Sequence, residues 1–417
     1  MKYGLIGEHL GHSFSKTIHS LIGEYDYELL ELKPEELDGF LKRREFNAIN
    51  VTIPYKEIVI PYLHFVSEEV AAIGACNTIV NRDGLLYGYN TDYSGMKEMI
   101  ISNGIGISEK KVLILGTGGT SKTAMKLAGD LGATQVRRVS RSKRDDPAIL
   151  TYGELAQAAS DTQVIINTTP CGMYPDADAV PVDISLFPQL EGVVDAVYNP
   201  LRSKLVLDAL SRGIKASGGL YMLVSQAIYA NSLFLGHEVY HEMTNKLFHK
   251  LESEKENICL IGMPASGKTS IGQLLHERSG REFIDSDDVV EARIGMPIPK
   301  FFAENGEKAF RDIESAVISE LAKKSSCIIA TGGGAVLNPA NVAALKQNSR
   351  LYFIDRPLEA LIPTSDRPLS SDIDALRRRY QERYPIYRAA ADCHLTAWPD
   401  YDHFEQETDI ILEEHNK

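Results

Sequence analysis

Residues 262–269, GMPASGKT, constrain the fold of this 417-residue chain more than any other stretch, because they match the phosphate-binding pattern G-x-x-x-x-G-K-S/T. The apolar run NICLIG precedes them and the helical pattern IGQLLHE follows, which is the strand-loop-helix context that the pattern requires. Backbone N–H groups of such a loop surround the phosphates, its lysine reaches the β and γ groups, and its hydroxyl binds Mg²⁺. The loop therefore predicts a site for ATP and Mg²⁺, with Thr269 on the metal and with these nucleotide ligands: Gly262, Ser266, Gly267, Lys268 and Thr269.

A second glycine-rich turn, GTGGTSKTA, follows the apolar run KVLILG and precedes another helical pattern. Gly116, Gly118 and Gly119 would let the backbone approach a pyrophosphate at the N-terminus of the helix. Ser121 occupies the place of the third glycine in the dinucleotide pattern, and the turn alone is equally compatible with a structural role.

The loop after the next apolar run, QVRRVS, bears on which dinucleotide would bind. An NAD enzyme carries an acid there for the ribose hydroxyls, whereas this chain reads SRSKR, with Arg141, Lys143 and Arg144. A short basic run is often only a solvated loop. Because this run follows the strand that comes next after the glycine-rich turn, it favours a 2′-phosphate site, and hence NADP or NADPH.

Short apolar runs alternate with helical patterns through the whole chain, which indicates α/β architecture with parallel strands. The length favours two or three domains. A helix that we expect to end near Leu251 gives way to the charged stretch ESEKEN before apolar residues resume. We therefore predict one domain at 1–251 and a second at 256–417.

Charge and cysteine usage exclude several classes of partner. The 44 Lys and Arg residues against 57 Asp and Glu residues give a net charge of −13, which disfavours binding to nucleic acid or an anionic membrane. The five cysteines are scattered singly, as in reduced cytosolic proteins. No stretch approaches the ~18 apolar residues of a membrane span, and the N-terminus builds no apolar signal segment. We expect a cytoplasmic protein with small-molecule substrates; the sequence leaves its oligomeric state open.

Several polar clusters in the first half would each be unremarkable alone: HSFSK, NVTIPYK, GACNT and GYNTD. Together with NTTPCGM at 167–173, DAVYNPL at 195–201 and GGLYMLVSQA at 218–227, they resemble the shikimate dehydrogenase family across residues 1–250. The resemblance implies a two-lobed α/β fold with a Rossmann-type NADP lobe. The substrate lobe would comprise about 1–95 plus 220–251, and the NADP lobe about 96–219.

The resemblance also implies roles for individual residues. Lys56 and Asp92 would form the catalytic pair, since hydride reduction of a ketone builds charge on oxygen and needs a cation and a proton donor there. Six residues would bind the substrate carboxylate or ring hydroxyls: Ser13, Ser15, Thr52, Asn77, Tyr198 and Gln226. Two positions depart from the family pattern: Lys16 replaces a proline after the second serine, and Ser140 replaces an asparagine before Arg141.

The second half carries FIDSDD, GEKAFRDIE, ATGGGAV, SDRPL and RRRYQERYPIYRAAAD in this order, and it resembles shikimate kinase from about residue 256 to 395. Asp285 and Asp287, two residues apart on a strand, are expected to point to the same side. The resemblance implies that Asp285 holds Mg²⁺ through water and that Asp287 binds ring hydroxyls and favours deprotonation of the attacking one. Lys268, Asp287 and Arg367 would be catalytic, with Arg367 supplied by a lid. The substrate carboxylate would meet these groups: Arg311, Arg383 and the backbone of Gly333 and Gly334.

Two stretches of this half fit the resemblance less well. The segment LEALIPTSDRPLSSD is shorter than the family lid. Beyond Leu395 the chain has helical spacing without a motif, and a packing or capping role is expected there.

Together the halves predict a bifunctional shikimate pathway enzyme. The first half would reduce 3-dehydroshikimate with NADPH, and the second would phosphorylate the resulting shikimate with ATP and Mg²⁺ to shikimate 3-phosphate. An active dehydrogenase joined to a non-catalytic kinase-like binding module is the main alternative. A non-enzymatic shikimate sensor, and quinate with NAD as ligands of the first half, are further alternatives; the catalytic lysines, the two serines and the basic loop weigh against them.

Overall fold

A computed structural model describes residues 2–11, 14–142, 146, 148–239, 241–361 and 373–417 of the chain. The chain divides into two compact units, Met1–Phe248 and His249–Lys417. In the part of the chain that the structure describes, no helix combines the length and the apolar character needed to cross a membrane.

The first unit contains two six-stranded sheets. Its strands are β1 (Tyr3–Gly7), β2 (Tyr27–Glu31), β3 (Ala48–Val51), β4 (Phe65–Val66), β5 (Thr78–Arg82), β6 (Leu85–Tyr89), β7 (Lys111–Leu115), β8 (Gln135–Ser140), β9 (Ile149–Thr151), β10 (Val164–Asn167), β11 (Gly192–Asp195) and β12 (Lys215–Ser217). Its helices are α1 (Ser15–Ile22), α2 (Pro34–Arg43), α3 (Glu68–Ile73), α4 (Thr91–Ser102), α5 (Gly119–Asp130), α6 (Ala156–Ala159), α7 (Lys204–Ser211) and α8 (Gly219–Leu235). Short 3₁₀ turns lie at Ile60–Tyr62, Tyr152–Glu154 and Ile184–Leu186.

The sheet of the first ninety residues is mixed, with the order β2-β1-β3-β5-β6-β4. Strand β1 runs parallel to β2 and β3, whereas β5 runs antiparallel to both β3 and β6. The expectation of parallel strands throughout is therefore wrong for this sheet. The physical reason is the tight turn between β5 and β6 at Asp83 and Gly84, both with positive φ, which joins neighbouring strands as a hairpin.

The second sheet is entirely parallel, with the order β12-β11-β10-β7-β8-β9. Residues of its central strand β7 alternate between two cores: Val112 and Ile114 pack in one, and Leu113 and Leu115 in the other. Burial on both faces explains why this strand is a continuous apolar run in the sequence. The β7-α5-β8 unit places the turn at 116–119 at the carboxyl edge of the sheet, as a Rossmann-type fold does.

The second unit is built around one parallel five-stranded sheet. Its strands are β13 (Asn257–Ile261), β14 (Glu282–Asp285), β15 (Cys327–Ala330), β16 (Ser349–Asp355) and β17 (Cys393–Thr396), in the order β14-β15-β13-β16-β17. The helices are α10 (Lys268–Ser279), α11 (Ser286–Ile294), α12 (Ile298–Leu321), α13 (Pro339–Lys346), α14 (Ile373–Ala390) and α15 (Phe404–His415), with 3₁₀ turns at Ala335–Leu337 and Leu358–Ala360. The phosphate-binding loop follows the central strand β13. The α/β class predicted from the sequence is confirmed for both units.

Two features of the helices bear on later arguments. Helix α9 (His241–Lys255) continues through the charged stretch, so the prediction that it ends near Leu251 is wrong. Its last carbonyls find donors: Arg281 donates to the carbonyls of Ser253 and Glu256, and the Ser326 hydroxyl donates to that of Glu254. Helix α12 is interrupted at Gly306, whose φ of 80° and ψ of 171° are not helical.

Candidate active sites

The pair predicted to be catalytic in the first unit is formed in the structure. The Lys56 ammonium donates to an Asp92 carboxylate oxygen at 2.6 Å, and the two side chains are 29% and 21% exposed. The Lys56 carbonyl accepts from the Cys76 N–H, which holds the loop after β3 against the start of β5. Asp92 lies in the first turn of α4, where the helix dipole favours a carboxylate. A cation and a carboxylate therefore meet at a partly open position where a substrate oxygen can reach both.

Two predicted substrate-binding amides meet through a threonine that the sequence reasoning did not single out. Thr91 donates its N–H to Asn77 Oδ1 at 2.7 Å, and its hydroxyl accepts from Asn77 Nδ2 at 3.1 Å. The same hydroxyl donates to Gln226 Oε1 at 3.5 Å. The close approach of α4 and α8 depends on Gly95, where a Cβ atom would lie 2.7 Å from the Met222 carbonyl. The sequence does carry a signal for Thr91, because this residue lies between Asn90 and Asp92 in the segment GYNTD.

The remaining residues predicted to bind the substrate in this unit lie at the start of α1, after β3 and after β11. Ser15 is the first residue of α1, and Ser13 lies outside the described residues. From the sequence alone one would expect both serines on one side of an extended stretch, which is wrong at Ser15 because it begins a helix. The Phe14 ring packs edge-on against the Tyr198 ring at 5.5 Å, which brings the start of α1 to the turn after β11. Thr52 follows β3 and donates its N–H to the Ile6 carbonyl. Burial raises the pKa of Tyr198.

The glycine turn after β7 has the geometry of a dinucleotide site. Gly116 has a φ of 107° and donates its N–H to the Val139 carbonyl. Its own carbonyl accepts from the Ser121 hydroxyl at 2.8 Å, so the serine that replaces the third glycine closes the turn. A Cβ atom at Gly118 or Gly119 would meet nothing within 4 Å, which leaves open space at the N-terminus of α5. These features fit the pyrophosphate of NADP.

The loop after β8 and the loop after β10 lie on either side of this turn, and the structure describes only part of the first. Arg141 follows β8 and is exposed, as a 2′-phosphate ligand requires, whereas Lys143 and Arg144 lie outside the described residues. On the other side, the fully buried Asp195 accepts from Asn167 Nδ2 at 2.9 Å and from the Val197 N–H at 3.0 Å. Burial raises the pKa of Asp195 to about 6. Asp195 thus joins the NTTPCGM loop to the turn that carries Tyr198, a connection that the sequence pattern did not reveal.

In the second unit, the phosphate-binding loop has the conformation that its glycines permit. Gly262 and Gly267 have φ values of 151° and 93°. A Cβ atom at Gly267 would lie 2.5 Å from the Phe404 ring, so no larger residue fits. Lys268 begins α10 and is only 8% exposed; its ammonium donates to the carbonyls of Gly262 and Met263 at 3.0 and 2.8 Å.

Oxygen ligands suited to Mg²⁺ lie next to this loop. The Thr269 hydroxyl donates to Asp285 Oδ2 at 2.9 Å, while Asp285 Oδ1 caps α11 by accepting from the Asp287 N–H. Among the described residues, no group of three or more His, Cys, Asp or Glu side chains is arranged to hold a metal ion. Mg²⁺ commonly takes one or two protein oxygens together with water and substrate phosphates, and this pair fits that mode.

Asp287 lies in the first turn of α11 and not on a strand, so the strand-based reason for placing it beside Asp285 is wrong. The strand ends at Asp285 because this side chain caps the helix that follows. Asp287 nevertheless faces the glycine run: a Cβ atom at Gly332 would lie 2.5 Å from Asp287 Oδ1. The Gly332 N–H in turn donates to the Ser286 hydroxyl of α11 at 2.9 Å.

The two arginines predicted to bind the substrate carboxylate are each held in place by a hydrogen bond to a neighbouring group of the protein. Arg311 donates to Glu314 Oε2 at 2.7 Å, and Glu314 is 2% exposed. Arg383 donates to the Gly333 carbonyl at 2.8 Å, and the buried Tyr387 hydroxyl donates to the same carbonyl. Burial raises the pKa of Glu314, although the Arg311 charge opposes this. Neither Glu314 nor Tyr387 was predicted from the sequence, although Glu314 belongs to the FRDIE segment.

One cavity of about 610 Å³ brings the kinase residues together. Of the residues predicted for this half, these line it: Gly267, Lys268, Thr269, Asp285, Asp287, Arg311, Gly333, Gly334 and Arg383. Tyr401 and Phe404 also line it, so the segment after Leu395 contributes to the cavity in addition to the packing or capping role expected from the sequence. Arg367 lies outside the described residues. The cavity combines a phosphate loop, carboxylates and two arginines, as a kinase for a small anionic substrate requires.

The fold and both sites define a class: a two-unit enzyme with a dinucleotide-dependent reductase fold followed by a P-loop small-molecule kinase fold. Comparison with known families narrows this class. A family model described as the shikimate dehydrogenase substrate binding domain matches residues 5–79, and one described as shikimate kinase matches residues 264–404.

Individual relatives agree with the family models. Shikimate dehydrogenase (NADP(+)) of Clostridium beijerinckii is 36% identical over 267 residues, which are 60% of this chain and 98% of the relative. That of Caldicellulosiruptor bescii is 33% identical over 283 residues, covering 62% and 97% of the two chains.

Solved structures give the same result for the first unit. A chorismate mutase/shikimate 5-dehydrogenase fusion protein from Clostridium acetobutylicum is 35% identical, with a TM-score of 0.57 over 60% of this chain and 96% of that one. Shikimate 5-dehydrogenase from Thermus thermophilus, in complex with NADP(H) and shikimate, is 29% identical, with a TM-score of 0.54 over 60% and 99%.

The chain therefore belongs to the shikimate dehydrogenase family over its first part and carries a shikimate kinase domain in its second. It is an enzyme of the NADP-dependent oxidoreductase class joined to a kinase-type domain, which implies ATP.

Proposed function

We propose that this chain catalyses two successive reactions: reduction of 3-dehydroshikimate by NADPH, and phosphorylation of the product, shikimate, by ATP with Mg²⁺ to shikimate 3-phosphate. The observation that carries the proposal is the presence of two sets of reacting groups in one chain. The first unit holds the Lys56–Asp92 pair, and the second holds a cavity lined by Lys268, by Asp285 and Asp287, and by two arginines.

In the first unit, NADPH held at the glycine turn would supply a hydride to the carbonyl carbon. Lys56 would donate a proton to the carbonyl oxygen, which becomes the hydroxyl of the product. Asp92 holds the ammonium in place and accepts a hydrogen bond from it at 2.6 Å. Asn77 and Gln226, aligned by Thr91, are suited to orient the ring hydroxyls, and Ser13 and Ser15 the carboxylate.

In the second unit, Asp287 accepts the proton of the attacking hydroxyl, and the oxygen forms a bond to the γ phosphorus while the bond to the leaving ADP oxygen breaks. Lys268 and Arg367 neutralise charge on the transferring phosphoryl group; Thr269 and Asp285 would hold Mg²⁺, which would supply further positive charge there. Arg311 and Arg383 bind the substrate carboxylate, which fixes the ring against Asp287. Positioning and charge neutralisation supply most of the rate in such transfers.

The test uses the full-length protein with 3-dehydroshikimate, NADPH, ATP and Mg²⁺. The wild type is expected to oxidise NADPH and to form shikimate 3-phosphate. Lys56→Ala is expected to abolish NADPH oxidation but to phosphorylate added shikimate, whereas Lys268→Ala is expected to accumulate shikimate. The exposed Lys42 and Lys324, which pair with Asp38 and Glu282, provide matched lysine-to-alanine controls.

The alternative of a non-catalytic kinase-like module makes a different prediction. In that case the wild type would reduce 3-dehydroshikimate and bind ATP or shikimate, but shikimate would accumulate undiminished in the presence of ATP and Mg²⁺. That result would restrict the function to the dehydrogenase. A wild type that consumed neither NADPH nor ATP would contradict the whole proposal.

A further inference from the structure

Arg356 lies directly after β16 and is 1% exposed, and each of its N–H groups has a partner. Its Nε donates to the Ser266 carbonyl at 3.0 Å, and its Nη1 donates to the carbonyls of Trp398 and Asp400. Its Nη2 donates to both carboxylate oxygens of Glu407, at 3.1 and 2.9 Å. One guanidinium thus joins the phosphate-binding loop to the segment that begins at Trp398 and to the first turn of α15.

Tyr401 makes a parallel contact with the same loop. Its hydroxyl has one proton to share between two carbonyls, that of Ala360 at 2.6 Å and that of Ala265 at 3.1 Å. The Arg356 guanidinium lies over the Tyr401 ring, 4.7 Å from its centre. Two neighbouring carbonyls of the loop, those of Ala265 and Ser266, are therefore contacted by side chains outside the loop: Tyr401, which also lines the cavity, and the buried Arg356.

The direction of these carbonyls determines the direction of the loop's N–H groups. In a planar trans peptide the C=O and the following N–H point in opposite directions. The Ser266 carbonyl points to Arg356, so the Gly267 N–H points away from Arg356, and Gly267 lines the cavity. Backbone N–H groups with this arrangement are what a phosphate-binding loop offers to its ligand. The Ser266 N–H donates to the Met263 carbonyl at 3.1 Å inside the loop. The Gly267 N–H is therefore the group whose direction matters most for binding a phosphate.

We propose that Arg356 and Tyr401 are positioning residues of the phosphate-binding loop and so set nucleotide affinity. Arg356, by holding the Ser266 carbonyl, turns the Gly267 N–H toward the nucleotide phosphates. Tyr401, through its contact with the Ala265 carbonyl, steadies the preceding peptide, whose N–H closes the loop on Met263. The inference rests on the proposed kinase function of this site. Neither residue belongs to the phosphate-loop pattern, and Arg356 acts from behind the loop without touching the substrate. Lysine cannot replace arginine here, because it lacks the planar fork that reaches Ser266, Trp398 and Glu407 at once.

The experiment compares Arg356→Lys and Tyr401→Phe with the wild type in the full-length protein. Tyr352→Phe serves as a matched control, because it removes a buried hydroxyl of the same unit that bonds to His415 and not to the loop. Calorimetry measures the Kd for ADP and, separately, the Kd for shikimate. Kinase assays then give the KM for ATP and kcat, and NADPH oxidation by the first unit serves as an internal reference.

A hydrogen bond to a charged donor contributes a factor of about ten or more to an equilibrium constant, and a neutral one a factor of about three to ten. We therefore expect the Kd for ADP and the KM for ATP to rise about tenfold or more in Arg356→Lys and about three- to tenfold in Tyr401→Phe. The Kd for shikimate is expected to stay at the wild-type value in both, which a general loss of folding would not allow. Tyr352→Phe is expected to match the wild type throughout.

The outcomes separate this proposal from the proposed function. If the wild type binds ADP and phosphorylates shikimate while Tyr401→Phe and Arg356→Lys bind ADP as tightly as it does, the positioning role is wrong and the kinase function stands. Should Arg356→Lys fail to fold, Tyr401→Phe decides alone: an unchanged Kd for ADP overturns the proposal. Equal weakening of ADP and shikimate binding also overturns it. If the wild type neither binds ADP nor phosphorylates shikimate, the kinase function itself fails.

Discussion

Gly334→Ala tests whether Arg311 binds the substrate, because the substitution moves Arg311 without removing it. Gly334 has φ of −108° and ψ of −7°, which alanine adopts without strain. A Cβ atom there would lie 2.1 Å from Arg311 Nη1 and 2.5 Å from its Cζ. The added methyl group meets the end of a long flexible side chain, so the guanidinium can move aside while the backbone stays in place.

The size of the effect follows from the distances. A carbon and a nitrogen that are not bonded pack at about 3.5 Å, so Nη1 must move by roughly 1.4 Å from its contact distance of 2.1 Å. A displacement of about 1 Å in a positioning group costs on the order of 100-fold in rate. We therefore expect kcat/KM for shikimate to fall about 100-fold, equivalent to about 2.7 kcal/mol of transition-state stabilisation.

The assay is ADP formation with shikimate as the varied substrate and ATP at saturation. NADPH-dependent reduction of 3-dehydroshikimate by the same preparation provides the internal control, and thermal unfolding tests whether the domain remains folded. Unchanged kcat/KM for shikimate in a folded Gly334→Ala protein would refute the assignment of Arg311 to the substrate. A large fall in the melting temperature would instead refute the reasoning that the guanidinium moves and the backbone does not.

Three further predictions concern pH, metal and packing. Burial raises the pKa of Asp195 from 3.8 to about 6, so the folded state binds this proton more tightly than the unfolded state does. Between about pH 4 and pH 6 the free energy of unfolding should therefore fall by as much as about 3 kcal/mol as pH rises, a dependence that urea titrations should find missing in Asp195→Asn. EDTA should abolish phosphorylation and spare NADPH oxidation, with recovery on adding Mg²⁺; loss of both activities would argue against a metal confined to Thr269 and Asp285. Gly219→Ala should lower the free energy of unfolding of the first unit by about 1–3 kcal/mol, since its Cβ would lie 2.2 Å from the Ala196 carbonyl oxygen. Gly129→Ala, whose Cβ would meet nothing within 4 Å, should leave it unchanged, and equal stabilities of the two variants would contradict this.

The sequence predicted those parts of the molecule that depend on local pattern. Parallel strands buried on both faces are continuous apolar runs, so β7 and β13 could be located from the order of their residues alone. The phosphate-binding loop could be predicted equally well, because the glycines and the lysine that define it all lie within one short stretch of the sequence. Lys56 and Asp92 were predicted from a resemblance to a family, and their 2.6 Å contact is consistent with that prediction without testing their roles.

Other features depend on contacts between distant residues, which no local pattern encodes. Asp285 ends its strand by capping α11, and this capping placed Asp287 on a helix. Helix α9 extends past its expected end because Arg281, which lies 25 or more residues further along the chain, supplies donors for its last carbonyls. Arg356 could not be singled out either, since its importance depends on Ser266, Trp398 and Glu407 converging from three segments of the chain.

Gly306 has a consequence for how the substrate pocket is shaped. The residues before it contribute Ile298, Pro299 and Phe302 to the cavity, and those after it contribute Arg311 and Glu314. The wall of the cavity formed before Gly306 and the wall formed after it therefore meet at an angle that the backbone at Gly306 determines. Any residue with a side chain would resist a φ of 80° there, and a straightened helix would re-aim one wall relative to the other. The shape of the pocket is in this sense inherited from a single glycine.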